Sequence, residues 1–235
     1  MRHSAAVLIA ISAVAVVALS LHAPIPQDPA YHAFADVRSF AGIPNFADVL
    51  SNLPFLLVGL YGLTRRPAPR MKTGYLVLCA GIALVSLGSA YYHLSPTSAT
   101  LLWDRLPMTV AFMALFALLL EDRVTDAKTL VPLVAAGLAS ALYWHLTDDL
   151  RPYILVQFLP IALMPLILLS YPKKNLDGKA LMLGVALYAA AKALELYDRP
   201  VLEALGALSG HSLKHLAAGA ASLCVIRAVP SGRQV

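Results

Sequence analysis

Charge is scarce in this chain. Asp, Glu, Lys and Arg make up only 13% of its 235 residues, about half the share of roughly 25% usual in soluble domains. A soluble core of this length could not hide a composition that is 59% apolar and still present a polar face to water. The same apolar surplus excludes intrinsic disorder. Cysteine is scarcer still, and the pair Cys79 and Cys224 is too few for a disulfide scaffold or a multi-cysteine zinc module. No Gly-x-Ser-x-Gly elbow, phosphate-cradling Gly-x-x-x-x-Gly-Lys loop or dinucleotide fingerprint occurs, so serine-triad and nucleotide chemistry have no support. The apolar runs are continuous and lack the alternation of a membrane β-barrel.

What is present is a series of runs near the roughly 20 apolar residues that a membrane span requires. Eight fall at about 5–22, 46–64, 73–93, 104–120, 129–147, 153–171, 180–197 and 210–227. Charged, proline-bearing breaks such as Arg65-Arg66-Pro67-Ala68-Pro69-Arg70 separate them. The expected fold is all-α: a polytopic membrane protein with a bundle of seven transmembrane helices and an additional N-terminal helix. Residues 1–22 form an N-terminal membrane segment, 23–45 an outer-face segment, 46–227 the seven-helix core and 228–235 a cytoplasmic tail. The first run has two readings. Ala18-Leu19-Ser20 offers a signal-peptide cleavage site, whereas the apolar stretch Ala5–Leu21 exceeds the roughly 7–15 residues of a signal core and favours a retained helix.

Alternation of sides then sorts the 18 Lys and Arg residues. Arg2, Arg65, Arg66, Arg70, Lys72, Arg123, Lys128, Lys173, Lys174, Lys179, Arg227 and Arg233 fall on one side. The other side holds Arg38, Arg105, Arg151 and Arg199, while Lys192 and Lys214 lie within spans. The positive-inside rule places both termini in the cytoplasm, and the expected location is a bacterial-type inner or plasma membrane. The net charge of +5 is thus a topology signal, and no nucleic-acid partner is expected.

Ionisable groups inside spans are costly and mark function by default. Here they collect at the outer ends of four helices: Ser89 and His93, Asp104, the trio Lys192, Glu195 and Asp198, and the pair His211 and His215. Ser89 with His93, and His211 with His215, are four residues apart and so share a helical face. Three imidazoles from two faces suit a catalytic zinc site with one coordination position left open. Asp104 beside them is a candidate acid/base, and Ser89 a candidate hydrogen-bond donor to a developing oxyanion. Taken singly, a His-x-x-x-His pair also suits haem or packing, and it lacks the glutamate of His-Glu-x-x-His metalloproteases. Lys192 and Glu195, three apart, also read as an intrahelical salt bridge. Cys79 and Cys224 lie away from the polar cluster and read as packing thiols.

The set Ser89-x-x-x-His93, Asp104-Arg105-Leu106-Pro107-Met108 and His211-x-x-x-His215 resembles the alkaline ceramidase family. That family belongs to a membrane-hydrolase superfamily with the adiponectin/progestin receptors and GPI-lipid remodelling enzymes. The stretch Ile43-Pro44-Asn45-Phe46-Ala47-Asp48-Val49-Leu50-Ser51-Asn52 resembles the family's first core helix. The resemblance, over roughly residues 36–227, implies a zinc-dependent intramembrane amidase that cleaves a ceramide-like lipid into a long-chain base and a fatty acid. It implies His93, His211 and His215 as zinc ligands and Ser89 and Asp104 as catalytic residues. It also raises the question of calcium, which eukaryotic members bind through an acidic stretch ahead of the first core helix. Asp36, Asn45 and Asp48 offer some of the oxygens such a site needs, but Arg38 beside them opposes it. The alternatives are a receptor-like or sensory member of the superfamily with little turnover, a hydrolase of another acyl lipid, and a haem-binding bundle.

Overall fold

The computed structural model describes residues 2–172 and 174–231; Lys173, Arg233 and the end of the 228–235 tail lie outside the described residues. Helices dominate: α1 (Arg2–Leu21), α2 (Phe46–Leu50), α3 (Leu53–Thr64), α4 (Lys72–Leu94), α5 (Ser98–Arg123), α6 (Leu130–Thr147), α7 (Arg151–Ser170), α8 (Gly178–Leu196), α9 (Asp198–Leu205) and α10 (Gly210–Ala228). Among the described residues the only β-structure is two isolated bridges. All eight apolar runs are helical. By length and apolarity, however, five helices are fit to cross a membrane, or six if α8 and α9, which meet at 83°, form one broken span. α10 is not among them because its sequence carries His211, Lys214 and His215. The protein is therefore an all-helical, multi-pass membrane protein.

Three local departures from the expected spans shape the interior. The 46–64 run breaks at Ser51-Asn52. Pro54 has no N–H to give to the Leu50 carbonyl, and the freed turn lets Ser51 Oγ and Asn52 Nδ2 donate to the Asp48 carbonyl at 2.9 and 2.8 Å. The fourth helix begins at Ser98 rather than near 104, because Thr97 and Thr100 form a capping box. Asp104 consequently lies in the second turn of α5. α9 lay unrecognised between two apolar runs; its few apolar residues make it a short amphipathic segment.

Helix α4 packs on α3 and α5, α5 also on α6 and α7, and α10 on α8 and α3, while α1 lies against α7. Lipid-embedded helices gain little from the hydrophobic effect and rely on close packing. The α4/α5 contact is the closest case: a Cβ at Gly88 would sit 2.0 Å from the Trp103 carbonyl oxygen. Pro107, inside α5, removes the N–H that this carbonyl would have received. The helices thus meet where α5 has a free carbonyl and α4 has no side chain. At the opposite end of the bundle, the buried Asp122–Arg123 pair fastens the α7–α8 loop: Asp122 accepts from Asn175 and Leu176, and Arg123 donates to the Leu176 carbonyl.

The segment between α1 and α2 runs as a strap across the end of the bundle that holds His93, His211 and His215. Leu150 N–H donates to the Ile25 carbonyl at 2.8 Å, and the backbone N–H groups of Ile25 and Gln27 donate to Asp149 and Asp148. Ala35 N–H donates to Asp198 at 2.9 Å, and Arg38 donates to the carbonyls of Gly206 and Ala207.

Candidate metal centre and lipid cavity

Three buried imidazoles meet under this strap. His93 comes from the last turn of α4, and His211 and His215 from successive turns of α10. Their ring centroids form a near-equilateral triangle with sides of 4.8–4.9 Å. Each offers one nitrogen, and the three nitrogens lie within 4.8 Å of one another, a grouping able to hold a metal ion. Phe34 of the strap caps the cluster, its ring centroid 4.6 Å from that of His93 and 4.5 Å from that of His211.

Hydrogen bonds hold the His215 ring and the backbones of His93 and His211. Ser51 Oγ donates to the Asp48 carbonyl, which can only accept, so Oγ must accept from His215 Nδ1 at 2.7 Å. That bond places the His215 proton on Nδ1 and leaves Nε2 with a free lone pair, the arrangement used by metal-binding histidines. Asn45 Nδ2 donates to the His93 carbonyl at 2.8 Å. His211 N–H donates to Asp198 at 2.8 Å, and Ser209 accepts from Ser212 N–H as the cap of α10. Gly210 allows this tight start: a Cβ there would lie 2.2 Å from the Leu194 carbonyl oxygen. Asp48, fully buried, accepts from Ser212 Oγ at 2.6 Å and Ser209 Oγ at 3.3 Å, tying α2 to the first turn of α10.

The donor set fits zinc. Three neutral nitrogens suit its preference for imidazole, the His215 tautomer is set for ligation, and His93 Nδ1 is buried without a partner. Calcium fits less well. Asp36 is held by two bonds from Arg38 at 2.7 Å, Asn45 is engaged by His93 and Asp48 by the α10 serines. Each side chain thus turns to a different partner, with Asp48 Oδ2 buried and unpartnered. The Arg38 guanidinium also keeps the Asp36 carboxyl below the usual carboxylate range.

Beside the histidines opens a cavity of about 470 Å³. Ser89, Asp104, Lys214, Glu195 and His215 line its polar end, whereas His93 and His211 do not reach its wall. From Ser89 the lining continues down α4 through Val85 and Ile82 to Leu78, and from Asp104 down α5 to Leu115. At 1.5 Å per residue each wall is about 16 Å long. Glu195 joins both in-span lysines, pairing with Lys192 on its own helix and with Lys214 at 2.8 Å; Lys214 Nζ also lies 3.1 Å from His211 Nε2. The intrahelical pair expected between Lys192 and Glu195 is present, but as part of this larger network. Ser51, Ser209, Ser212 and Phe34 also belong to the site. Their one prior signal was the Ser51-Asn52 pair in the resemblance, since serine and phenylalanine are unremarkable inside an apolar chain.

The chain is thus a multi-helix membrane protein with a buried histidine cluster able to hold a metal ion beside an apolar cavity. More specifically, this chain belongs to the ceramidase family: the family model described as Ceramidase matches residues 39–198, more than half of it. Membership makes the protein an amide hydrolase of the ceramidase type. The match includes Ser89, His93 and Asp104 and ends before His211 and His215, which the fold brings to His93. No curated protein and no solved structure gives a significant match.

Proposed function

We propose that the protein is a zinc-dependent amidase that hydrolyses the N-acyl bond of a ceramide-like lipid, releasing a long-chain base and a fatty acid. The observation that carries this reading is the grouping of His93, His211 and His215 beside a cavity whose polar end holds Ser89 and Asp104. The three histidines would hold the metal, and zinc so held supplies Lewis acidity to a carbonyl and lowers the pKa of water. The apolar walls take the acyl chain and bring the amide to the polar end. The Asp104 carboxylate accepts a proton from the attacking water and passes it to the leaving amine. Ser89 Oγ–H donates to the oxygen that becomes anionic as the carbonyl is attacked. Seven crossings around this site, with α10 included because its polar residues face inward, and an outward-facing site with both termini in the cytoplasm complete the proposal. Purified protein incubated with ceramide is expected to release fatty acid and to contain about one zinc per chain. His215→Ala should lower both by at least about tenfold, given the loss of one of three ligands. Zinc-loaded protein that releases no fatty acid would instead favour the receptor-like reading.

A further inference from the structure

The strap is fastened to both ends of the short helix α9. At its start, one oxygen of Asp198 accepts from Ala35 N–H of the strap at 2.9 Å and the other from His211 N–H of α10 at 2.8 Å. At its finish, Gly206 takes the left-handed conformation that ends the helix, with φ at 69°. There Arg38 Nη1 donates to the Gly206 carbonyl at 3.0 Å and Nη2 to the Ala207 carbonyl at 2.7 Å. Arg38 Nε and Nη2 donate to the two Asp36 carboxylate oxygens at 2.7 Å each. Four oxygens thus surround one planar fork. The Asp36 side chain is only 1% exposed, and among the described residues the donors to its carboxylate all belong to Arg38. The Arg38 side chain, by contrast, stays 56% exposed.

A carboxylate withdrawn from water requires a cation, and the last carbonyls of a helix carry partial negative charge of their own. This seat therefore calls for positive charge. Calcium takes roughly six to eight oxygens at about 2.3–2.6 Å around a single point. The four oxygens here are instead spread along the three nitrogens of a fork, the geometry by which guanidinium groups are bound. The seat also bears on the histidines. Phe34, two residues before Asp36, lies over His93 and His211, and Ala207 is four residues before His211 on the loop that leads into α10.

We propose that Arg38 is the resident cation of this seat, and that it positions the strap and the start of α10 around the histidines in place of a divalent ion. Arg38 does not line the cavity; it is a positioning residue that acts through Phe34 and the α9–α10 loop. The proposal rests on the zinc-dependent amidase reading only for the zinc and turnover it predicts.

The test uses the full chain in detergent, loaded with zinc, and three readouts: amide hydrogen exchange over strap residues 33–40, zinc release to a chromogenic chelator, and fatty-acid release from ceramide. Millimolar calcium should change none of these in the unaltered protein. Arg38→Ala should speed exchange in the strap, and should weaken zinc retention and turnover by about tenfold, the scale seen when residues supporting metal ligands are lost. Free guanidinium, far below denaturing concentration, should restore all three in Arg38→Ala, because the emptied seat keeps its four oxygens and is open to water. Sodium at equal ionic strength should not. Asp36→Asn should show the same losses without rescue, and Arg38→Lys, which keeps the charge without the fork, should fall between. A role in stability alone would be indifferent to guanidinium. Calcium stimulation of the unaltered protein overturns the inference, as does an Arg38→Ala protein that keeps all three properties, or guanidinium acting no better than sodium. An unaltered protein that holds no zinc or releases no fatty acid sinks the amidase reading alone, and exchange in the strap then decides the role of Arg38.

Discussion

Asp104 and Ser89 differ from the three histidines in what their chemistry can be asked to do. The His215 ring is held by Ser51, and the backbones of His93 and His211 by Asn45 and Asp198; in the proposed mechanism the three rings present lone pairs to a metal. Asp104 lines the cavity outside the grouped ligands, and the proposed mechanism gives it the proton transfers. Asp104→Asn keeps the shape and the hydrogen-bonding reach but cannot accept a proton. It should lower kcat by about 10²–10⁴-fold, the usual contribution of general acid/base catalysis, with metal content by elemental analysis unchanged. Full turnover in that variant would remove Asp104 from the mechanism. At this scale the five candidate residues were legible in the sequence because polar and ionisable groups are rare inside spans and a spacing of four puts two of them on one helical face. The supporting partners were not. Ser51, Ser209 and Ser212 acquire their meaning from bonds to residues about 160 positions away.

Helix ends and helix crossings decide how close those side chains come. Gly88 and Pro107 work as a pair, since the proline frees the Trp103 carbonyl and the glycine lets it approach. Ser89 and Asp104 are the next residues along their respective helices, so any separation of α4 from α5 parts them. Gly88→Ala is expected to cost about 1–3 kcal/mol through overpacking and to lower turnover further by widening the Ser89–Asp104 gap. Thermal unfolding in detergent and a turnover assay read the two effects separately. A variant with unchanged midpoint and turnover would show that the close approach is dispensable. The spans themselves were legible from apolar run length, but their ends were not. The capping box at Thr97 started α5 six residues before the apolar pattern did, and Pro54 broke the 46–64 run at a point where hydropathy is continuous.

The whole molecule is a bundle closed at its histidine end by the strap, and the strap depends on acid groups at the start of α7. Asp149 accepts from Ile25 N–H and is gripped by Arg151, which also donates to the His22 carbonyl at 2.6 Å. The Arg151 hydrogen bonds hold the Asp149 carboxyl down at about 2. Because this folded-state value lies below the unfolded one of about 3.9, the stabilisation is fully present above that pH and is lost as pH falls through about 2. The thermal midpoint of the protein in detergent should therefore drop between pH 4 and 2, and Asp149→Asn should flatten that drop while lowering the midpoint at pH 7. Equal acid sensitivity in the two proteins would place the labile group elsewhere. The sequence by itself determined that the chain is helical and membrane-embedded and which five residues are the candidates for chemistry, because composition, run length and i, i+4 spacing are local properties. Only the tertiary structure decided that His93 meets His211 and His215, that Asp36, Asn45 and Asp48 turn to different partners, and that Glu195 joins Lys192 to Lys214. Those outcomes depend on which helices pack together and on where buried polar groups find partners, and neither is written in the local pattern of any one segment.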